Sequence, residues 1–163
     1  MNKFYKVSLE QYIKDKNDEN VVQEWENIKL PRHATSKSAG YDFYSPIDFE
    51  LNPNETIKFP TGIKVQLDDD KYLAIVPRSS LGFKYRLQLD NTMGIIDADY
   101  YNNSGNEGHI FIKLTNDSRT GQILSIRKGE AVAQGIINKF FSVDDEEIIS
   151  TVREGGIGST NAK

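Results

Sequence analysis

From Pro31 onward the chain consists of short apolar runs separated by turn-forming residues, and this texture restricts the fold more than any other feature. Ile57, Phe59, Ile63, Val65 and Leu67 include an alternating face, and Tyr72 to Val76, Leu87 to Leu89, and Ile110, Ile112 and Leu114 are similar. Alternation places every second side chain on one face of a strand. The breaks fall at Asn52-Pro53-Asn54, Asp68-Asp69-Asp70, Asn102-Asn103-Ser104-Gly105, Thr120-Gly121 and Lys128-Gly129. Many short strands at close spacing predict an all-β sandwich or barrel rather than a parallel α/β sheet. Nothing repeats internally.

The N-terminal segment has a different pattern. Phe4, Tyr5 and Val7 predict a short first strand. Ser8 followed by Gln11 has the spacing of a capping box, and Leu9, Tyr12 and Ile13 give the helix after it one apolar face. The polar run from Lys14 to Asn20 ends that helix. Val21, Val22, Trp25 and Ile28 recur at helical spacing and predict a second short helix. Either this pair packs on the domain surface, or Trp25 serves a partner or subunit contact.

At 163 residues the chain suits one domain with a full core. A net charge of −4 makes a nucleic-acid duplex a poor partner. A nucleoside triphosphate stays possible, because a few placed cations and a metal cancel its charge locally. The absence of cysteine excludes a disulfide frame and thiolate ligands, and two histidines, His33 and His109, are too few for a histidine-rich metal site. The start lacks the apolar run of a secretory signal, and no stretch approaches the roughly 20 apolar residues that span a bilayer. The expectation is a soluble, cytoplasmic protein with no membrane partner.

Several polar clusters carry chemistry. Arg78-Ser79-Ser80 follows the strand-like Leu73-Ala74-Ile75-Val76-Pro77, and Pro77 ends that strand. The corner then exposes a guanidinium, two hydroxyls and backbone N–H groups, which suits phosphate oxygens; it also reads as an ordinary solvated turn. Asp97 lies between Ile96 and Ala98 in the run Asn91 to Tyr100. A carboxylate in an apolar neighbourhood needs hydrogen-bond partners; it either accepts bonds from a turn or acts as a general base on water. Asp99 faces the other side if the strand continues. Arg153 to Thr160 carries three glycines and reads either as a mobile tail or as a segment that drapes over a triphosphate and presents backbone N–H groups.

Taken together, Ala39-Gly40-Tyr41-Asp42, Pro77 to Lys84, Asn91 to Tyr100, Gly129 to Gln134 and Arg153 to Thr160 resemble the signature set of the trimeric dUTPases over about Pro31 to Thr160. The resemblance implies a β jelly roll or β-barrel whose three subunits share three active sites, with a short helical addition at about 8–28. It divides the chain into a domain at 1–152 and a flexible, glycine-rich C-terminal arm at 153–163. It implies hydrolysis of dUTP to dUMP and pyrophosphate by Mg²⁺-assisted water attack at the α-phosphorus, which keeps uracil out of DNA and supplies dUMP for thymidylate synthesis. By resemblance Asp97 orients the attacking water, and Gln134 lies near the α-phosphate. Arg78, Ser79 and Ser80 bind phosphate, and Asp42 holds Mg²⁺ through water. Asn91 and the Gly94, Ile95 and Ile96 segment read uracil, and Tyr100 packs on the deoxyribose and blocks a ribose. Arg153, Gly156, Ile157, Gly158, Ser159 and Thr160 close over the triphosphate from a neighbouring subunit.

The chain departs from the family pattern in several places. Ile157 stands where the family usually has phenylalanine, leaving an aromatic such as Phe83 as a candidate for stacking on the base. The segment from Tyr101 to Gly108 looks like a short insertion, and Arg86 stands where a glycine is common. One alternative is a dCTP deaminase-like nucleotide enzyme of the same fold. Lys113 stands where that enzyme carries a glutamate base, which counts against it. The other alternative is a dUTPase-fold regulatory protein that engages a protein partner through the N-terminal helices and the insertion.

Overall fold

In the computed structural model, residues 1–144, 155 and 156 are described. The chain opens with β1 (Lys3–Lys6), α1 (Leu9–Lys16), a 3-10 turn at Glu19–Val21 and α2 (Val22–Glu26). Ser8 caps α1 as expected, its side chain accepting from Gln11 N at 3.0 Å. The reciprocal half of the capping box does not form. Gln11 Nε2 donates instead to Asp15 Oδ2 at 2.8 Å, and the Ser8 N–H donates to Glu107 Oε2 at 3.0 Å. Val7, Tyr12 and Val21 form a small apolar cluster of their own, with Ile13, Trp25 and Ile28 packed against it. The Trp25 indole N–H donates to Val7 O at 2.9 Å, so this ring serves packing within the chain.

The strands that follow are β2 (Arg32–His33), β3 (Tyr41–Tyr44), β4 (Phe49–Leu51), β5 (Thr56–Pro60), β6 (Ile63–Gln66) and β7 (Lys71–Pro77). After the short helix α3 (Ser79–Tyr85) come β8 (Leu87–Leu89) and β9 (Gly94–Asp97). A 3-10 turn at Ala98–Tyr100 leads on to β10 (Phe111–Asn116), β11 (Leu124–Ile126) and β12 (Ala131–Lys139). Among the described residues these make a five-stranded sheet in the order β2-β3-β12-β7-β9, a three-stranded sheet β5-β10-β8, and the pairs β1-β6 and β4-β11. All pairings are antiparallel. The architecture is all-β as expected, built from open sheets around a shared core rather than a closed barrel.

The two-residue period is visible in the burial. Ile63 and Val65 of β6 are buried while Lys64 and Gln66 are half-buried, and Ile112 and Leu114 of β10 are buried on either side of exposed Lys113. These side chains join Phe43, Phe59, Leu73 and Leu87 in one core, each contributing roughly 1.5–3 kcal/mol by leaving water. In β7 the buried run Leu73-Ala74-Ile75 reflects a position between β12 and β9. None of the helices is long and apolar enough to cross a membrane, among the described residues.

Candidate functional site

The predicted site residues fall into two groups, held at different places on the five-stranded sheet. The first group forms where β3, β12 and the end of β7 meet. Asp42 stands opposite Gln134, and Gln134 stands opposite Val76 on the other flank of β12. Residues directly opposite in an antiparallel pair share a face. Arg78, leaving β7 after Pro77, brings its Nε to 3.3 Å from Asp42 Oδ1 and its Nη1 to 3.5 Å from Ala131 O. Gln134 Nε2 donates to Pro77 O at 3.4 Å. A Cβ on Gly40 would lie 2.4 Å from Gln134 Oε1, so the Gln134 side chain depends on a bare backbone at position 40. Ser79 and Ser80 are exposed in the first turn of α3. That segment was read as a turn; it is helical, with Arg78 at the N-cap.

The second group lines a cavity of about 590 Å³, within the size range of small-molecule sites. Asn91, Gly94, Ile95, Ile96, Tyr100 and Gly156 all border it. Thr92, at φ 62, makes the tight turn that presents Asn91 between β8 and β9. Thr92 N donates to Leu89 O at 2.8 Å and Met93 N to Asn91 O at 2.7 Å. Tyr100 is 9% exposed. Its hydroxyl donates to His109 O at 2.9 Å and accepts from Asn106 Nδ2 at 2.7 Å. Asp97 ends β9 opposite Tyr72 and is half-buried at the start of the 3-10 turn. The strand therefore stops at Asp97. Asp99 sits within the turn and is exposed, not on the opposite face of a continuing strand.

Phe83 is 94% exposed on α3 and does not line this chain's cavity. The aromatic residues that do are Tyr100 and Phe111. Arg153, Ile157, Gly158, Ser159 and Thr160 lie outside the described residues.

Sequence reasoning missed three residues of the cavity wall with polar side chains, Lys58, Asp90 and Asn106, and used a fourth, Lys113, only as evidence against deamination. Lys58 and Lys113 stand opposite each other across β5 and β10. Their repulsion is relieved by Asp90 Oδ2, 2.7 Å from Lys113 Nζ, and by the Phe111 ring, 5.0 Å from Lys58 Nζ. Lys113 and then Thr115, which donates at 2.5 Å, hold the Asp90 carboxyl below the usual carboxylate range. The alternating pattern placed Lys113 on the outer face of its strand, but the cross-strand pairing that makes it part of a cavity has no local signature.

His109 was also missed. It is fully buried, its Nε2 accepts from Gly62 N at 2.7 Å, and its Nδ1 lies 2.5 Å from Asp15 Oδ2. An acceptor Nε2 means a neutral ring with its proton on Nδ1. Burial, only partly opposed by Asp15, likewise pushes the His109 pKa below its ordinary value.

Asp97 and Arg78, one from each group, stand at opposite ends of β7, although Gly94 pairs with Ile75, next to the Val76 that pairs with Gln134. Asp97 faces the start of β7 and Arg78 follows its end. A seven-residue strand at about 3.3 Å per residue separates them by roughly 20 Å.

Comparison with known proteins gives one consistent family. A dUTPase family profile matches residues 26–161. The deoxyuridine 5'-triphosphate nucleotidohydrolase of Lactococcus lactis is 40% identical over 145 residues, covering 87% of this chain and 95% of that protein. The protein of the same name from Burkholderia cenocepacia is 36% identical over 136 residues, covering 80% and 88%. The crystal structure of dUTPase from Streptococcus mutans superimposes with a TM-score of 0.65 at 31% identity, covering 86% of this chain and 98% of that one. A phage phi11 dUTPase, described as coordinating a structural Mg(II) ion, shares the fold with a TM-score of 0.64 at 19% identity over 91% of this chain and 96% of its own.

Proposed function

The chain belongs to the dUTPase family, and on that premise we propose that it hydrolyses dUTP to dUMP and pyrophosphate as a homotrimer whose sites are shared between subunits. The single observation that carries this reading is the cavity that gathers Asn91, Gly94, Ile95, Ile96 and Tyr100; Asp97, the last residue of β9, follows Ile96 in the chain but is not among the residues that border the cavity. The roughly 20 Å between the strand positions of Asp97 and Arg78 supports the shared site, in which Arg78 serves the nucleotide of another subunit's cavity.

In this reading Asn91 and the β9 backbone bind uracil. A polar site built for one pattern of donors and acceptors rejects cytosine, since buried groups would be left unpaired. The Tyr100 ring lies against the deoxyribose and leaves no room for a 2′-hydroxyl. Asp97 aligns a water with the α-phosphorus and takes its proton as the new P–O bond forms and the bond to the pyrophosphate oxygen breaks. Arg78, Ser79 and Ser80 from a second subunit meet the phosphates, and Gln134 supports them. Positioning and charge neutralisation carry most of the rate in such transfers. Residues 1–152 form the site-bearing domain and 153–163 the arm that closes it.

The Mg²⁺ implied by the family fits the donor set. Mg²⁺ keeps several waters and is held by one or two carboxylates plus substrate phosphates. Asp42 is a single carboxylate with Arg78 beside it, and no protein cage of three or more His, Cys, Asp or Glu side chains occurs among the described residues. Asp42 would hold the ion through water, and the ion, when bound, withdraws charge from the phosphates. The resulting function is removal of dUTP before it reaches DNA and supply of dUMP.

The test is pyrophosphate release on dUTP, dTTP, dCTP and UTP in parallel, with and without Mg²⁺. Release from dUTP alone, and only with the metal, is expected. Comparable release from all four, or ammonia from dCTP, would overturn the reading. The lysine at position 113, where the deaminase-like reading needs a carboxylate base, supports dUTP hydrolysis over deamination.

A further inference from the structure

Asn106 borders the cavity, yet no motif of the chain includes it. Its Nδ2 donates to the Tyr100 hydroxyl at 2.7 Å, while its Oδ1 accepts from Asn103 Nδ2 at 2.9 Å and from Gly108 N at 3.1 Å. The phenol thus has a partner on each side, Asn106 giving and His109 O receiving.

The loop that carries Asn106 is held by the N-terminal helix. At its start, Ser8 donates to Glu107 through Oγ at 2.5 Å and through N at 3.0 Å. Farther along, Lys14 Nζ donates to Gly105 O at 3.3 Å, and Asp15 Oδ2 receives His109 Nδ1 at 2.5 Å. From the sheet side, Lys64 Nζ clamps Glu107 at 2.9 Å and Asn102 Oδ1 at 2.7 Å. The helix therefore grips positions 105, 107 and 109, on both sides of Asn106. Gly108 completes the turn at φ +79, where a Cβ would lie 2.5 Å from Tyr100 O.

We propose that Asn106 is a positioning residue for sugar discrimination, setting the Tyr100 ring, and that α1 is the brace that holds Asn106 in place. This rests on the reading of the cavity as a dUTP site. A ring rejects a 2′-hydroxyl sterically only if it cannot swing aside, and a wall held by locked neighbours discriminates where a loose one does not.

The experiment compares the intact protein with Asn106→Asp, Tyr100→Phe, the double variant and Ser8→Ala. Asn106→Asp keeps the size and the Oδ1 acceptor that shapes the loop but replaces the donor by an acceptor, so the phenol can no longer receive from position 106 while donating to His109 O. The readouts are kcat and KM on dUTP and UTP, and calorimetric binding of dUMP against UMP. Asn106→Asp is expected to lower the preference for dUTP over UTP about three- to tenfold, with the change in KM rather than kcat. The double variant should be no less selective than the worse single variant, because Tyr100→Phe, which removes both bonds of the phenol, already removes the one that Asn106 makes. Ser8→Ala should shift selectivity in the same direction by less. Wild-type selectivity in Asn106→Asp, or losses that multiply in the double variant, would overturn the proposal while the intact enzyme still splits dUTP. If the intact protein does not split dUTP, the functional reading falls first and this inference with it.

Discussion

Gly40 backs directly onto Gln134: a Cβ at position 40 would stand 2.4 Å from Gln134 Oε1 and 3.2 Å from Cδ. The atoms it would strike are the far end of a flexible side chain, so the sheet survives the substitution while the carboxamide moves. Gly40→Ala is therefore expected to keep its melting temperature within a few degrees and to lose turnover on dUTP roughly 10- to 100-fold, the cost of a misplaced group at a reacting centre. Wild-type steady-state kinetics in this variant would show that Gln134 does not act where the reading puts it.

Asp97→Asn should fold, assemble and bind dUMP normally while turnover falls about 10²- to 10⁴-fold, the usual contribution of a positioned base. Arg78→Ala should be similarly inactive. Unfolding and refolding the two inactive proteins together would form mixed trimers in which one site holds Asp97 from one chain and Arg78 from another. Chance assembly then restores about a quarter of the activity. A mixture as inactive as its components would place both residues in a site contributed by one chain.

Arg86 ends α3 in the left-handed region at φ 50. A side chain there costs roughly 1–2 kcal/mol relative to glycine, and the exposed pair with Asp117 at 2.5 Å returns little of it. Arg86→Gly should raise stability by about 1 kcal/mol and the melting temperature by about 2–4 °C. Calorimetry of the two proteins checks this, and a lower midpoint would mean that the pair with Asp117 matters more than the backbone.

The brace titrates. Burial alone would raise the Glu107 pKa, but hydrogen bonds from Ser8 and the charge of Lys64 outweigh it and hold the group down at about 2, from an ordinary 4.5. A depressed folded value means that the stabilisation is complete above about pH 4.5 and is lost as pH falls toward 2. His109 is neutral and its value is also depressed, so its share is complete above the ordinary value of 6.5 and declines below it, where only the unfolded chain takes up a proton. The melting temperature should be flat above about pH 7 and fall in two stages below. Glu107→Gln should lower the plateau and flatten the second stage. A midpoint that is constant from pH 7 to pH 3 would exclude both.

The parts of this molecule that were legible in sequence are those with local causes. Ile112 and Leu114 mark their strand by alternation and Ser8 marks the start of α1 by its capping oxygen; Asn91, Gly94, Ile95, Ile96 and Tyr100 were named through resemblance, as one continuous stretch of chain that is also close together in the cavity. Arg78 was legible as a phosphate-suited corner after Pro77, whereas Asp42 and Gln134 were legible only through resemblance, since sheet register brings them together with it. Helix α3 was not legible: it has no side-chain cap at Arg78 and carries Gly82 in its interior. Asn106 and His109 were invisible for a different reason. Their roles depend on contacts with α1 from the far end of the sequence, 99 residues apart for Ser8 and Glu107 and 94 for Asp15 and His109.

Helix α1, which Ser8 caps and which carries Asp15, rests with α2 on a small cluster of Val7, Tyr12 and Val21, distinct from the main core. Such an attachment behaves as a replaceable part. On the proposal above, substitutions within it adjust how firmly a distant wall is pressed, and the tolerance of a ribonucleotide shifts while every nucleotide-contacting side chain stays the same.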